Sequence, residues 1–250
     1  MRIAVCGKGG SGKSTIVALL ANEARGRKYR VLVVDSDESN SELFRMFGFE
    51  HPPVPLMELV GGKSSLKEKM AQPNIFAESH ISPKDIPARY VLTKDSLMLV
   101  SIGKILQALE GCACPMGALS REFLKKLVLE EDELAIVGME AGVEHFGRGV
   151  ETSIDRVLIV VEPPLESINV AEKIWELASG IGIKSIRAIM NKVPSEKIEA
   201  KLRAELKARH VEAIGCVYFS ADVFEASLDG AVPIDGTAAQ QVKGVLDATL

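Results

Sequence analysis

The stretch that most constrains this chain is Gly7–Thr15, GKGGSGKST. It follows the apolar run Ile3–Cys6 and leads into Ile16–Ala24, which has helical periodicity. Gly7, Gly12, Lys13 and Ser14 satisfy the GxxxxGK[ST] spacing, and strand, glycine-rich turn and helix are the setting that gives this pattern its meaning. Glycines let consecutive backbone N–H groups face a phosphate without side-chain obstruction, and the following helix turns its unsatisfied N–H groups and positive dipole end on the same anion. Lys13 supplies a point charge for the outer phosphates, and the Ser14 hydroxyl is placed for magnesium. The candidate nucleotide-binding residues are therefore Gly7, Lys8, Gly9, Gly10, Ser11, Gly12, Lys13, Ser14 and Thr15. The bland alternative is a glycine-rich turn that binds nothing.

The rest of the chain alternates buried strands with helices. Val31–Val34, Leu134–Val137, Val157–Val161, Ile186–Met190 and Ala213–Tyr218 read as strands. Ser39–Phe47, Glu166–Ala178, Ser195–Arg209, Ala221–Leu228 and Thr237–Leu250 read as helices. This predicts an α/β fold, a doubly wound and mostly parallel sheet in a single domain spanning 1–250. Right-handed crossovers then gather the loops after the strands on one edge, where such sheets bind ligands. The phosphate loop, Asp35 and Asp37, the loop Gly138–Gly149, Glu162 and Asn191 all fall there. Gly48–Ala88 is the least regular stretch, with six prolines and helical character only in Leu56–Met70. Tyr90–Thr93 and Leu97–Ile102 suit a hairpin. Residues of about 48–90 read as an insertion on the edge of the sheet.

Composition excludes several classes. With 250 residues, 47% apolar and 26% charged, the chain is ordinary for a globular domain. A net charge of −4 lacks the basic surplus of a general nucleic-acid binder. No apolar run reaches a membrane span, and the N-terminus reads as strand and loop, not as a leader. The expectation is a cytoplasmic protein without nucleic-acid or membrane partners.

Several residues carry candidate chemistry. Asp35 and Asp37 end a strand near the phosphates, where a carboxylate can hold a magnesium-bound water or orient the attacking water; they can equally be turn and cap residues. Asn191-Lys192-Val193-Pro194 has proline where a guanine-reading carboxylate would stand, so adenine is the expected base, with Asn191 able to pair with its edge or serving only as a turn residue. In Glu110–Gly117, Cys112 and Cys114 are one residue apart. Such a pair forms no easy disulfide and cannot fill a tetrahedral site alone. Two copies in a two-fold dimer would supply four thiolates, suited to zinc or nickel; incidental cysteines are the other reading. Cys6 and Cys216 lie within strands and read as small buried apolar residues. His145, a lone loop histidine beside a glutamate, reads as a structural residue.

With Lys8 at its second position, GKGGSGKST resembles the deviant Walker A pattern GKGG[SV]GK[ST]T of the MinD/ParA/nitrogenase-iron-protein ATPases. The resemblance implies a MinD-like P-loop fold and ATP hydrolysis. It implies that Lys8 reaches across a two-fold dimer to the partner's nucleotide, and that Asp37 is the switch I residue that positions or activates water. Lys8, Lys13 and Asp37 are thus the implied catalytic residues. Met139–His145 matches the later positions of the switch II pattern D-x-x-A-G-x-E-H, which implies that the Gly142 N–H lies near the γ-phosphate. Gly138 stands where that pattern has the Walker B aspartate, so either Asp35 or Asp37 substitutes for it or hydrolysis is slow.

Together, GKGGSGKST, GCACP at Gly111–Pro115 and EAGVEHFGRG at Glu140–Gly149 resemble the CooC type, the accessory ATPases for nickel insertion into carbon monoxide dehydrogenase and acetyl-CoA synthase. This implies a homodimer that holds nickel or zinc between Cys112 and Cys114 of its two chains, with ATP and magnesium as cofactors and a carbon monoxide dehydrogenase or acetyl-CoA synthase catalytic subunit as partner. The alternative from the wider group is a positioning ATPase that assembles on membrane or DNA. That would call for a basic amphipathic C-terminal helix, and Thr237–Leu250 offers only Lys243 with Asp247 one turn on. A third reading, prompted by Gly138, is a nucleotide-binding regulator that scarcely hydrolyses.

Overall fold

The structure is a computed structural model that describes residues 1–38, 42–62, 65–66, 76–104, 114–143, 146 and 153–250. β1 (Arg2–Gly7) leads through the glycine-rich loop into α1 (Lys13–Gly26), and β2 (Arg30–Ser36) follows. A short α2 (Leu56–Leu59) precedes the hairpin of β3 (Leu92–Lys94) and β4 (Leu97–Ser101). α3 (Cys114–Lys126) and β5 (Glu133–Met139) come next, then β6 (Arg156–Val161), α4 (Leu165–Gly180), β7 (Ser185–Val193) and α5 (Glu196–Ala208). The chain ends with β8 (Ala213–Tyr218), α6 (Ala221–Leu228) and α7 (Thr237–Thr249). The described strands form one sheet in the order β3-β4-β2-β5-β1-β6-β7-β8, parallel except for edge strand β3.

Side-chain alternation along the central strands builds two cores. On one face Val31, Val33, Leu134 and Ile136 meet Ile16, Val17 and Leu20 of α1 and Val242 and Leu246 of α7. On the other, Leu32, Val34, Ala135 and Val137 meet Leu119 and Phe123 of α3, Ile168 and Ala171 of α4, and Leu202 of α5. Strands buried on both faces read as continuous apolar runs, which is why they were legible in the sequence. The apolar side of α7 is thereby committed to α1 and β8.

The helices expected after β2 and in the proline-rich stretch are not continuous among the described residues. Of Ser39–Phe47, the described part makes only a 3₁₀ turn at Arg45–Phe47, ended by Gly48 at φ 74°. The helix expected over Leu56–Met70 is interrupted after Leu59, where Gly61 and Gly62 take left-handed φ values of 94° and 80°; Gly62, Ser65 and Leu66 are helical again, and 63–64 and 67–70 lie outside the described residues. Further 3₁₀ turns occur at Pro83–Asp85 and Ala88–Tyr90. This stretch buries Leu56, Phe76, Ile81 and Ile86 in the same core as Leu119 and Phe123. Ile81 exchanges backbone hydrogen bonds with the end of α3, accepting from Val128 and donating to Lys126, each at 2.9 Å.

Leu20 is fully buried between α1 and the sheet. Leu20→Ala is expected to lower stability by about 2–5 kcal/mol in urea denaturation, since the rigid strands beneath cannot collapse into the void. A loss below about 1 kcal/mol would contradict this packing.

Candidate functional site

The site begins at the loop between β1 and α1, and its geometry follows from how the loop's carbonyls are engaged. Gly7 O accepts from the Gly142 N–H at 3.2 Å, and Lys8 O from the Ser11 N–H at 3.2 Å and Lys13 Nζ at 3.3 Å. Gly10 O accepts from Lys192 Nζ, Ser11 O from Asn191 Nδ2 at 2.8 Å, and Gly12 O from the Ile16 N–H at 3.0 Å. In a trans peptide the carbonyl and the next N–H point opposite ways. The N–H groups of Gly9, Gly12 and Lys13 accordingly find no acceptor among the described residues. No side chain caps α1 and its first turn holds no acidic residue. These N–H groups and the helix dipole make a cradle of the right sign for phosphate.

Two positions require glycine. Gly7 has φ 138°, and a Cβ would lie 2.4 Å from Val160 O; Gly12 has φ 93°, and a Cβ would lie 2.3 Å from Asn191 Nδ2. Lys13 is buried, and that burial lowers its pKa against the opposing charge of Asp37. Ser14, expected for magnesium, lies in the first turn of α1. Thr15 borders a cavity of about 240 Å³ beside the loop, whose walls include Asn191, Tyr218, Phe219 and Phe224. The sequence reading did not single out Phe219 and Phe224, although Phe219 directly follows a strand end. Their rings lie 6.5 Å apart and both are exposed, so they offer flat apolar surface next to the phosphate cradle.

Lys8 sits on the rim. Its ammonium lies 3.5 Å from Glu162 and 3.3 Å from Glu166, and these bonds raise its pKa, Glu166 contributing most. Glu162 also faces Lys192 at 3.8 Å. Asn191 is buried and spends an amide N–H on the loop, so it braces Ser11 and borders the cavity at the same time.

The structure separates the two aspartates at the end of β2. Asp35 is buried and pairs with the buried Lys104, Oδ2 to Nζ 2.7 Å; Lys104 also donates to the Asp37 carbonyl. Asp37 is half-buried and its charge is felt at Lys13. Asp35 is thus committed to Lys104, and Asp37 is the carboxylate of the two whose charge acts on Lys13. Lys104 carried no motif and was not legible as part of the site. Gly138 lies in β5 in register with Val5 and Asp35. A Cβ there would meet Val17 at 3.7 Å and Leu43 at 3.9 Å, an apolar setting without a carboxylate of its own. Gly142 follows at φ 93°, its N–H on Gly7 O.

Cys114 is the first residue of α3, followed by Pro115, whose missing N–H costs nothing in a first helical turn. Cys112 lies outside the described residues, as do Glu144, His145 and Gly147–Gly149. Among the described residues no group of His, Cys, Asp and Glu could hold a metal ion. Cys6 is buried as expected, whereas Cys216 is half-buried, its thiol pushed up to about 12 by burial and by Glu199. No helix of the described residues is long and apolar enough to cross a membrane.

Residues 3–234 match the CobQ/CobB/MinD/ParA nucleotide binding domain family. An uncharacterised ATP-binding protein of Methanocaldococcus jannaschii is 45% identical over 201 residues, 78% of this chain and 80% of that one. The carbon monoxide dehydrogenase accessory protein CooC of Rhodospirillum rubrum is 34% identical over 199 residues, 78% of this chain and 75% of its own length. In fold, the septum site-determining protein MinD from Pyrococcus horikoshii, solved with Mg-ADP, superposes with a TM-score of 0.73, covering 99% of this chain and 95% of that one at 16% identity.

The buried pair predicts a pH signature. Burial pushes the Asp35 carboxyl from 3.8 up to about 6, against the pull of Lys104. A folded-state value above the unfolded one means the native state keeps its proton longer, so Asp35 subtracts stability as pH rises from about 4 to 6. Removing the Lys104 charge raises the carboxyl further and extends that window upward. Lys104→Met should therefore cost about 3–5 kcal/mol at pH 8 and less at pH 5, as read by urea denaturation. A loss equal at both values would contradict the pairing.

Proposed function

The chain belongs to the CobQ/CobB/MinD/ParA nucleotide-binding family, and from that premise we propose that it is a homodimeric ATPase that assists nickel insertion into a carbon monoxide dehydrogenase-type enzyme. The observation that carries the nucleotide half is the cradle, whose carbonyls are held by donors and in which the N–H groups of Gly9, Gly12 and Lys13 find no acceptor among the described residues. The metal half is supported by the likeness to CooC and by the Cys112/Cys114 pair in GCACP.

In this reading the loop from Gly7 to Thr15 holds the ATP phosphates, with Lys13 on the outer ones and the Ser14 hydroxyl on magnesium. The base occupies the cavity between Asn191 and Phe219. Asp37 orients the attacking water, and Gly142 leaves Gly7 O to donate to the γ-phosphate. With Asp35 committed to Lys104 and Gly138 without a carboxylate, one magnesium-side anion fewer is at hand, and turnover is slow. Lys8 exchanges Glu162 and Glu166 for the partner's nucleotide. Closing the seam brings Cys112 and Cys114 together with the same pair of the second copy into a site of four thiolates, and nickel or zinc is its cargo. The membrane- or DNA-assembling alternative has less support, since the apolar residues of α7 are packed on α1 and β8.

Coupling between the two ligands is reciprocal: if ATP changes metal affinity by a factor, metal changes ATP affinity by the same factor. Titrating nickel and zinc into the protein with and without ATP should give affinities that differ by at least about 5-fold, and Cys112→Ser with Cys114→Ser should abolish binding. Equal affinities in both states would remove the metallochaperone reading.

The dimer is tested separately by sedimentation. Magnesium and ATP should convert monomer to dimer, and Lys8→Ala should prevent it. Glu162→Gln, which removes one anion that holds Lys8, should lower the ATP needed by no more than about 5-fold, because the pair is long at 3.5 Å and its lysine partly exposed. An unchanged monomer–dimer balance in Lys8→Ala would contradict the cross-dimer role.

A further inference from the structure

Three consecutive residues at the end of β2 tie the phosphate side of the molecule to the helix that begins at Cys114. The charge of Asp37 acts on Lys13 of the phosphate loop. Ser36 Oγ lies 2.8 Å from Ser120 Oγ on α3, and Ser120 is buried, so this hydroxyl pair has little access to water. Asp35 binds Lys104, which also donates to the Asp37 carbonyl. A second tie runs through Gly103, next to Lys104. Gly103 lies so close to α3 that a Cβ would fall 2.5 Å from Met116 Sδ. The N-terminal half of α3 is thus attached at Met116 and at Ser120 to the backbone that carries Asp37.

Cys114 and Ser120 are six residues apart, about 9 Å along a helix axis. Over so short a length a packed helix moves as a stiff body. Lys104 spans Asp35 and the Asp37 carbonyl at once. If Asp37 shifts when nucleotide arrives, Ser36, Lys104 or both must follow or break their bonds. Either outcome changes where α3 sits.

We propose that Lys104 and Ser120 are positioning residues that carry nucleotide occupancy from Asp37 to the Cys112/Cys114 pair. The proposal deepens the functional reading above and rests on it for the use of those two thiols. The physical warrant is a contiguous set of buried polar contacts and a rigid helix, and the demonstration needed is a change in coupling when a link is cut.

The experiment measures alkylation of Cys112 and Cys114 by N-ethylmaleimide in the full chain, stripped of metal, with and without magnesium and a non-hydrolysable ATP analogue. Peptide mass spectrometry reads each thiol, with buried Cys6 as the internal control for unfolding. In the wild type the analogue should change the alkylation rate at least about 5-fold. In Ser120→Ala and in Lys104→Met the change should fall below about 2-fold; in Ser120→Ala the rate without nucleotide and the affinity for the analogue should also stay within about 2-fold of wild type, and Lys104→Met is read with the analogue at saturation. Lys104→Arg, which keeps the charge and the reach, should retain the response. If Lys104→Met does not fold, Ser120→Ala decides, because it removes one hydroxyl only. A wild type that does not respond, or variants that respond as the wild type does, would overturn the proposal. Alkylation needs no bound metal, so the nickel and zinc titration judges the metal reading independently.

Discussion

Capture of the loop's carbonyls is the constraint from which the site's geometry follows. A glycine-rich loop left to itself has many conformations, and most would turn carbonyl oxygens toward an incoming phosphate. Here the Gly7, Gly10, Ser11 and Gly12 carbonyls each have a donor from beyond the loop, while the Lys8 carbonyl is held within it by the Ser11 N–H and Lys13 Nζ, and peptide planarity does the rest. The donors come from the loop after β5, from the end of β7 and from α1. They can reach the loop because β1 lies at the centre of the sheet, between β5 and β6. The order of the strands, set by apolar packing on both faces, therefore decides the sign of the electrostatic field above β1.

The buried pair of Asp35 and Lys104 is a second arrangement that local sequence does not demand. Two charges removed from water seldom gain in net stability over apolar side chains of the same volume. What the pair does provide is position. It occupies the Asp35 carboxylate, fixes the Asp37 carbonyl and anchors the chain just before the cysteine-containing segment. The rim behaves differently. Lys8, with Glu162 and Glu166, forms pairs that are partly exposed and easily exchanged. This suits the cross-dimer role proposed for Lys8. A weak contact at the rim and a strong one beneath it divide the work between release and alignment.

Much of the fold was legible in the sequence because each central strand is buried on both faces and so reads as an unbroken apolar run. The helices after β6 and β7 and the hairpin of β3 and β4 were legible from periodicity and spacing. The stretch after Leu56 was not. Its apolar residues have helical spacing, but Gly61 and Gly62 take left-handed conformations that interrupt the helix after Leu59. Asn191 shows the same gap in the site. Its place at a strand end pointed to the base, while its buried amide also braces Ser11.

The sequence by itself determined the phosphate loop, the parallel sheet and the gathering of chemistry at one edge, because these follow from spacing and apolar pattern within a few residues. It also brought out Lys8 and the paired cysteines as features in need of a partner. Only the tertiary structure decided which aspartate is paired with Lys104, that Lys104 lies at the end of β2 beside both, and that Ser36 touches the helix headed by Cys114. Those facts depend on contacts between residues 69 and 84 positions apart, and no local pattern in a chain encodes which distant side chain will fill the space beside it.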